Sequence, residues 1–337
     1  MFIPFSTADT PVACFRSLHS TTPPPSFDGT LVRLLWGYDP YLLSKLLSAI
    51  ADEAHNRGIP TIKTFDPLLS EQIIELDVAG MGRFTLSPDA LSSGARLIDC
   101  TLSTSHVAPD RAGQTKERLQ ALEKEIRVTA RAAADNARLL QAVTAQLADR
   151  ESLLLRADRI ARRFPRGDGR RISIPAVTCG RGGELSWHLP CSSDTRLICL
   201  QALYGIGSLF LDDLAAALET RGVRQVSLTH ALTDRIVGIY IPDGGLCYLQ
   251  DYTPPTDSAR PCRQLALRRY LLPHSTEQRR AWRNLAMAVG ALERHLEQRI
   301  AVYRTIAKEE EAACFSLYSE NRLQGFRKRL LIDLFCS

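Results

Sequence analysis

The chain has 337 residues, 45% hydrophobic content and a net charge of +5, which allows two domains with separate cores and excludes disorder as the global state. Its apolar runs are shorter than ten residues and broken by charge, which excludes a transmembrane helix. Nine cysteines without a CxxC pair, and a start that lacks a secretory leader, predict a cytoplasmic protein with reduced thiols and no zinc site.

Residues 1–28, rich in Ser, Thr and Pro, predict an irregular lead-in. A short apolar strand is expected at 31–36. Gly37-Tyr38-Asp39-Pro40 then leads into a helix marked by Leu42, Leu43, Leu46, Leu47, Ile50 and Ala54, which stops near Gly58. A strand at 59–65 precedes two more at 73–76 and 81–86 that form a hairpin around Gly80. No glycine or proline occurs between Gln114 and Phe164, so the stretch of about 113–163 is helical. One straight helix of that length would reach roughly 75 Å, and two antiparallel helices with a break near Asp135-Asn136 are the preferred reading; a coiled-coil dimer is the alternative.

The glycine- and proline-bearing connector at 164–195 places the domain boundary near 165 and carries a strand at 172–177. Residues 196–222 then read as an apolar strand, a turn with Gly205 and Gly207, and an amphipathic helix through Phe210, Leu214, Ala217 and Leu218. A strand at 223–228 follows. Those at 236–241 and 246–249 flank Pro242-Asp243-Gly244-Gly245, a hairpin signal, and 264–271 reads as one more. Ser275 and Gln278 have capping-box spacing at the head of a helical region of about 276–335.

The two halves repeat the same order, with Gly58 and Gly222 separated by 164 positions and Gly80 and Gly245 by 165. In that order, and in the short pieces Phe65-Asp66-Pro67, Ile241-Pro242 and Ala307-Lys308 with Tyr318, the chain resembles bacterial ATPase-like proteins of poorly defined function, built from two tandem P-loop domains that each carry a helical insertion. The resemblance implies an α/β fold of two tandem P-loop NTPase-like domains with long helical hairpin insertions. The first spans 1–165, with its hairpin at about 113–163. The second spans 166–337, with its C-terminal helices at about 276–335. It also places Thr85 and Gln250 where the family tends to carry an acid at a strand end.

A phosphate loop of that family ends Gly-Lys-Ser/Thr, the lysine reaching the outer phosphates and the hydroxyl ligating Mg²⁺. Ser208 stands in the lysine slot and Leu209 in the hydroxyl slot. Gly205, Gly207 and Ser208 retain backbone N–H groups and one hydroxyl for weak binding of ATP or GTP phosphate, without the cation or metal ligand that phosphoryl transfer needs. In the first half, Asp39 at an N-cap position and Pro40 at the first helical position fill the equivalent place. The expected function is therefore a catalytically inactive pseudo-ATPase, without a cofactor, that binds or scaffolds an unidentified protein partner through its helical hairpins and does not engage membranes. A nucleotide switch whose missing cation comes from a partner is one alternative. A polyanion or nucleic-acid binder using the seven arginines of 156–171 is another; the blander reading of that cluster is a helix C-terminus with dipole-complementing basic residues. His230, Asp234 and Cys247 lack the context of an activated nucleophile, and Glu309, Glu310 and Glu311 read as a solvated helix face.

Overall fold

A computed structural model describes residues 12–18, 27, 31–36, 40–86, 95–100, 109–179, 185–191, 194–201, 205–250, 262–273, 275–316, 318 and 320–336. It is a mixed α/β protein. The elements run β1 (Val12–Phe15), β2 (Val32–Trp36), α1 (Pro40–Asn56), β3 (Thr61–Phe65), β4 (Ile73–Val78), β5 (Gly82–Thr85), β6 (Arg96–Asp99), α2 (Pro109–Leu147) and α3 (Arg150–Ala161). They continue β7 (Arg171–Cys179), β8 (Leu185–Trp187), β9 (Arg196–Gln201), α4 (Ile206–Thr220), β10 (Gln225–His230), β11 (Ile236–Ile241), β12 (Leu246–Gln250), β13 (Cys262–Ala266), α5 (Thr276–Ser316) and α6 (Glu320–Phe335).

The two sheets share one topology. The first has the order β1-β3-β4-β5-β2-β6 and the second β7-β10-β11-β12-β9-β13, with β8 added beyond β7. In both, the third strand in spatial order is antiparallel to its two neighbours and all other adjacent pairs of the shared set are parallel. The likeness extends to irregularities. The register shifts between Thr64 and Phe65 in β3 and between Leu228 and Thr229 in β10, again 164 positions apart. Gly58 and Gly222 both hold positive φ, 70° and 63°, as do Gly80 and Gly245, 75° and 54°. A left-handed backbone at each of these turns explains why glycine stands there twice.

The chain forms two compact units, one of residues 1–16, 23–125 and 299–337 and the other of 17–22 and 126–298, in place of the consecutive halves expected from the sequence. The reason lies in α2. It runs unbroken through Asp135 and Asn136, where a break is expected; Asn136 donates to the Ala132 carbonyl oxygen (2.8 Å) and stays within the helix. The break falls at Ala148-Asp149, where the Asp149 carboxylate caps α3 by accepting from Ser152 N (3.0 Å). A helix of 39 residues is roughly 58 Å long. It carries α3 into the second unit, where Leu153, Ala157 and Ile160 share a core with Phe210, Leu214 and Leu218 of α4 and with Ile239 and Tyr248 of the sheet. In the first unit, Leu330 of α6 joins Leu43, Leu47 and Ile50 of α1 and Leu76 and Phe84 of the sheet. Each unit thus takes its closing helix from the other half of the sequence.

The capping box at the head of α5 forms as predicted, Ser275 N donating to Gln278 Oε1 (2.9 Å) and Gln278 N to Ser275 Oγ (3.1 Å). β1, in the segment expected to be irregular, pairs parallel with β3, and β6 and β8 are further strands without a sequence signal. Cys199 of β9 and Cys262 of β13 are joined as a disulfide between adjacent strands, where the cysteine pattern predicts none. Among the described residues no helix is long and apolar enough to cross a membrane.

Candidate functional site at the head of α4

The second unit's strand β9 ends at Gln201 and α4 starts at Ile206; residues 202–204 of the connecting turn, like Asp39 of the first half, lie outside the described residues. Gly205 takes the N-cap position with φ 85° and no side-chain cap. Its conformation favours glycine, and so does its surroundings. A Cβ at Gly205 would lie 3.3 Å from Thr144 Oγ1 and 3.5 Å from Gln141 Cα, so the backbone of α2 rests directly on the start of α4. Thr144 is itself fixed, donating to the Leu140 carbonyl oxygen (2.7 Å) and accepting from Trp282 Nε1 (3.0 Å).

Gly207 and Ser208 follow in the first turn, both buried. Ser208 Oγ lies 3.1 Å from Gln250 Oε1 and donates to it; Gln250 closes β12 at the same edge of the sheet. The three residues singled out in the sequence therefore meet in one helical turn. No cation stands among them, and the one hydroxyl is engaged with an amide instead of an acid. In the first unit Pro40 opens α1 as predicted. Thr85 closes β5 opposite Glu75 of β4, and its hydroxyl bonds the Glu75 carboxyl, which burial pushes above the usual carboxylate range.

Beside Ser208 is a cavity of about 570 Å³, at the edge where the parallel strands of the sheet end. This is the edge at which open α/β sheets hold ligands. Arg131, Ala134, Arg138 and Gln141 line it from α2 at i, i+3, i+7 and i+10, one stripe of the helix. Asp212 of α4 and Asp234 and Arg235 of the β10–β11 turn complete the polar wall. Gln141 Nε2 donates to Asp212, whose carboxyl is pushed up by burial against that bond. Asp234 is the one non-glycine residue with positive φ among the described residues, 54°, and its carboxylate accepts from Ser17 Oγ (2.6 Å). Sequence reasoning missed this wall because α2 precedes α4 by some sixty positions and no local pattern relates the two helices.

The remaining candidates have structural surroundings. His230 Nδ1 accepts from Leu232 N (3.2 Å) and pins the β10–β11 turn; burial, with Arg235 acting in the same sense, pushes its pKa down to about 3, so the ring is neutral. Cys247 is buried within β12. Glu311 lies 3.9 Å from Lys45 in the first unit. Among the described residues no cluster of His, Cys, Asp and Glu could hold a metal ion. Within the arginine cluster, Arg162 pairs with Asp158 (2.6 Å), and Arg171 donates to Ser227 Oγ (2.9 Å). Comparison with protein-family models, with curated proteins and with solved structures gives no match for this chain.

Proposed function

We propose that the protein is a catalytically inactive, NTPase-like binding or scaffolding protein whose two repeats are degenerate P-loop-like units. The observation that carries this reading is the head of α4. An active phosphate loop presents free backbone N–H groups, a lysine and a metal-ligating hydroxyl to the nucleotide. Here α2 rests on Gly205, and Ser208 is tied to Gln250. The lysine and the metal-ligating hydroxyl that stabilise a transferring phosphoryl group are missing from this turn. The long helices supply surface for a protein partner: Val128 and Leu139 of α2 and Met287 of α5 are exposed apolar residues of the second unit. Phosphate release from Mg²⁺-ATP and Mg²⁺-GTP tests the reading. Turnover no faster than in buffer is expected; turnover that Gly207→Arg abolishes would overturn it.

A second reading, retained binding of a nucleotide or similar anion, is favoured by one observation. Arg131, Arg138 and Arg235 bring to the cavity beside Ser208 the positive charge that the loop lacks, from within the chain. Asp212 and Asp234 on the same wall offset much of that charge, which places this reading second.

A further inference from the structure

The arginines of α3 do not stand alone. Strand register places Arg196 two residues before Ile198 on β9 and Arg263 two residues before Leu265 on β13, so both arginines lie on the sheet face that carries α3 and α4. On α3, Arg156 and the following Arg163 lie i+3 and i+10 from Leu153, along the stripe that Leu153 and Ile160 bury against this face. The end of α3 is held over the start of β12, where the Phe164 ring packs on Gly244. Four arginines from three elements distant in sequence therefore converge on Tyr248. That phenol is buried, and burial raises its pKa while Arg163, Arg156, Arg263 and Arg196 act in the opposite sense, which places all four within electrostatic reach of one hydroxyl. Arg163, Arg196 and Arg263 are exposed and Arg156 is half-buried, and none of the four forms an ion pair with an acidic group among the described residues.

Basic residues at a helix C-terminus complement its dipole. That accounts for Arg159 and Arg163 and not for Arg196 and Arg263, which come from strand starts. Planar guanidinium groups match phosphate oxygens in two-point contacts. Among the described residues, the two rings packed at the patch, Tyr248 and Phe164, are both buried; single-stranded nucleic acid is held through exposed rings. We propose that Arg156, Arg163, Arg196 and Arg263 form a binding surface for the phosphate backbone of double-stranded nucleic acid, without sequence preference.

The test is fluorescence anisotropy of the full chain with two labelled duplexes of unrelated sequence, titrated at several salt concentrations. Four phosphate contacts predict a log–log salt slope of about −3.6, or roughly a 150-fold loss of affinity between 50 and 200 mM salt. Arg156→Gln with Arg163→Gln, and separately Arg196→Gln with Arg263→Gln, are expected to make the slope less negative by about 2 on both duplexes. The Arg156→Lys, Arg163→Lys pair should keep it, and Arg279→Gln with Arg280→Gln on α5 should leave it unchanged. Unfolding temperature is followed for each variant, and the two glutamine pairs test the patch independently. A slope unaffected by both pairs, equal loss in the α5 variant, tighter binding of a single strand, or preference for anionic lipid vesicles through the same arginines would each overturn the proposal.

Discussion

Gly58 and Gly222 end the first helix of each repeat with similar backbone angles, yet they meet different surroundings, and that difference yields a quantitative prediction. A Cβ at Gly58 would touch nothing within 4 Å. At Gly222 it would lie 2.6 Å from the Gly167 carbonyl carbon and closer still to its oxygen. Alanine at either position must adopt a left-handed conformation, which costs about 1–2 kcal/mol. At Gly222 the linker after α3 must also move away, which breaks the bonds from Gly167 N to Arg221 O (3.1 Å) and from Gly169 N to Gly222 O (2.7 Å), each contributing about 1 kcal/mol. Gly58→Ala should therefore destabilise by about 1–2 kcal/mol and Gly222→Ala by about 3–4 kcal/mol. With a urea dependence of about 2 kcal/mol per molar, the midpoints should fall by under about 1 M and by about 2 M respectively. The assay is urea unfolding followed by circular dichroism. Equal shifts for the two variants would refute the claim that the linker is seated on the α4–β10 turn and anchors α3 in the second unit.

Three further outcomes follow from particular contacts. Arg150 holds Asp213 through two bonds of 2.7 Å, with the carboxylate nearly buried and the guanidinium about a third exposed; Arg150→Ala should cost about 2 kcal/mol in urea unfolding, discounted from a fully buried pair, and a coupling energy near zero with Asp213→Asn would contradict it. His230 keeps its proton off until about pH 3 in the folded chain, against an ordinary value of 6.5 that applies on unfolding. Its contribution is complete above pH 6.5 and is lost on acidification toward 3, at about 1.4 kcal/mol per pH unit; His230→Asn, whose side-chain oxygen can still accept from Leu232 N, should flatten that limb of the stability profile, and an unchanged profile would count against the assignment. Trp282 fills the contact between α2 and α5 with Leu140, Leu147 and Val289, so Trp282→Ala should lower stability by about 3–4 kcal/mol, with a loss under about 1 kcal/mol excluding it from that core.

The repeated core was legible in the sequence because its signals are local. Strand, turn, helix and hairpin each span few residues, and Gly58, Gly80, Gly222 and Gly245 mark positions where only a left-handed backbone closes the turn. β1 and β6 were not, because their sequences, Val-Ala-Cys-Phe and Arg-Leu-Ile-Asp, show no apolar–polar alternation. The exchange of α3 and α6 was hidden for another reason. Periodicity shows that 113–163 is helical, but the break depends on a single cap, and Asp149 competes with Asp135-Asn136 as the signal. At the candidate site, Gly205, Gly207 and Ser208 could be named from the loop alone. Gln141 and Thr144, which cover that loop, and Arg131 and Arg138, which line the cavity, come from a distant helix that no local pattern relates to it.

The most direct test of the account is thermal unfolding of the full chain with and without millimolar Mg²⁺-ATP and Mg²⁺-GTP, followed by calorimetric titration. A nucleotide at a hundred times its dissociation constant would stabilise the fold by about 2.7 kcal/mol, readily seen as a shift of a few degrees. No shift is expected with either nucleotide, because the turn carries no lysine, α2 packs on Gly205 and the Ser208 hydroxyl is engaged by Gln250. A shift that Gly207→Arg removes would contradict it and show that the turn still holds phosphate.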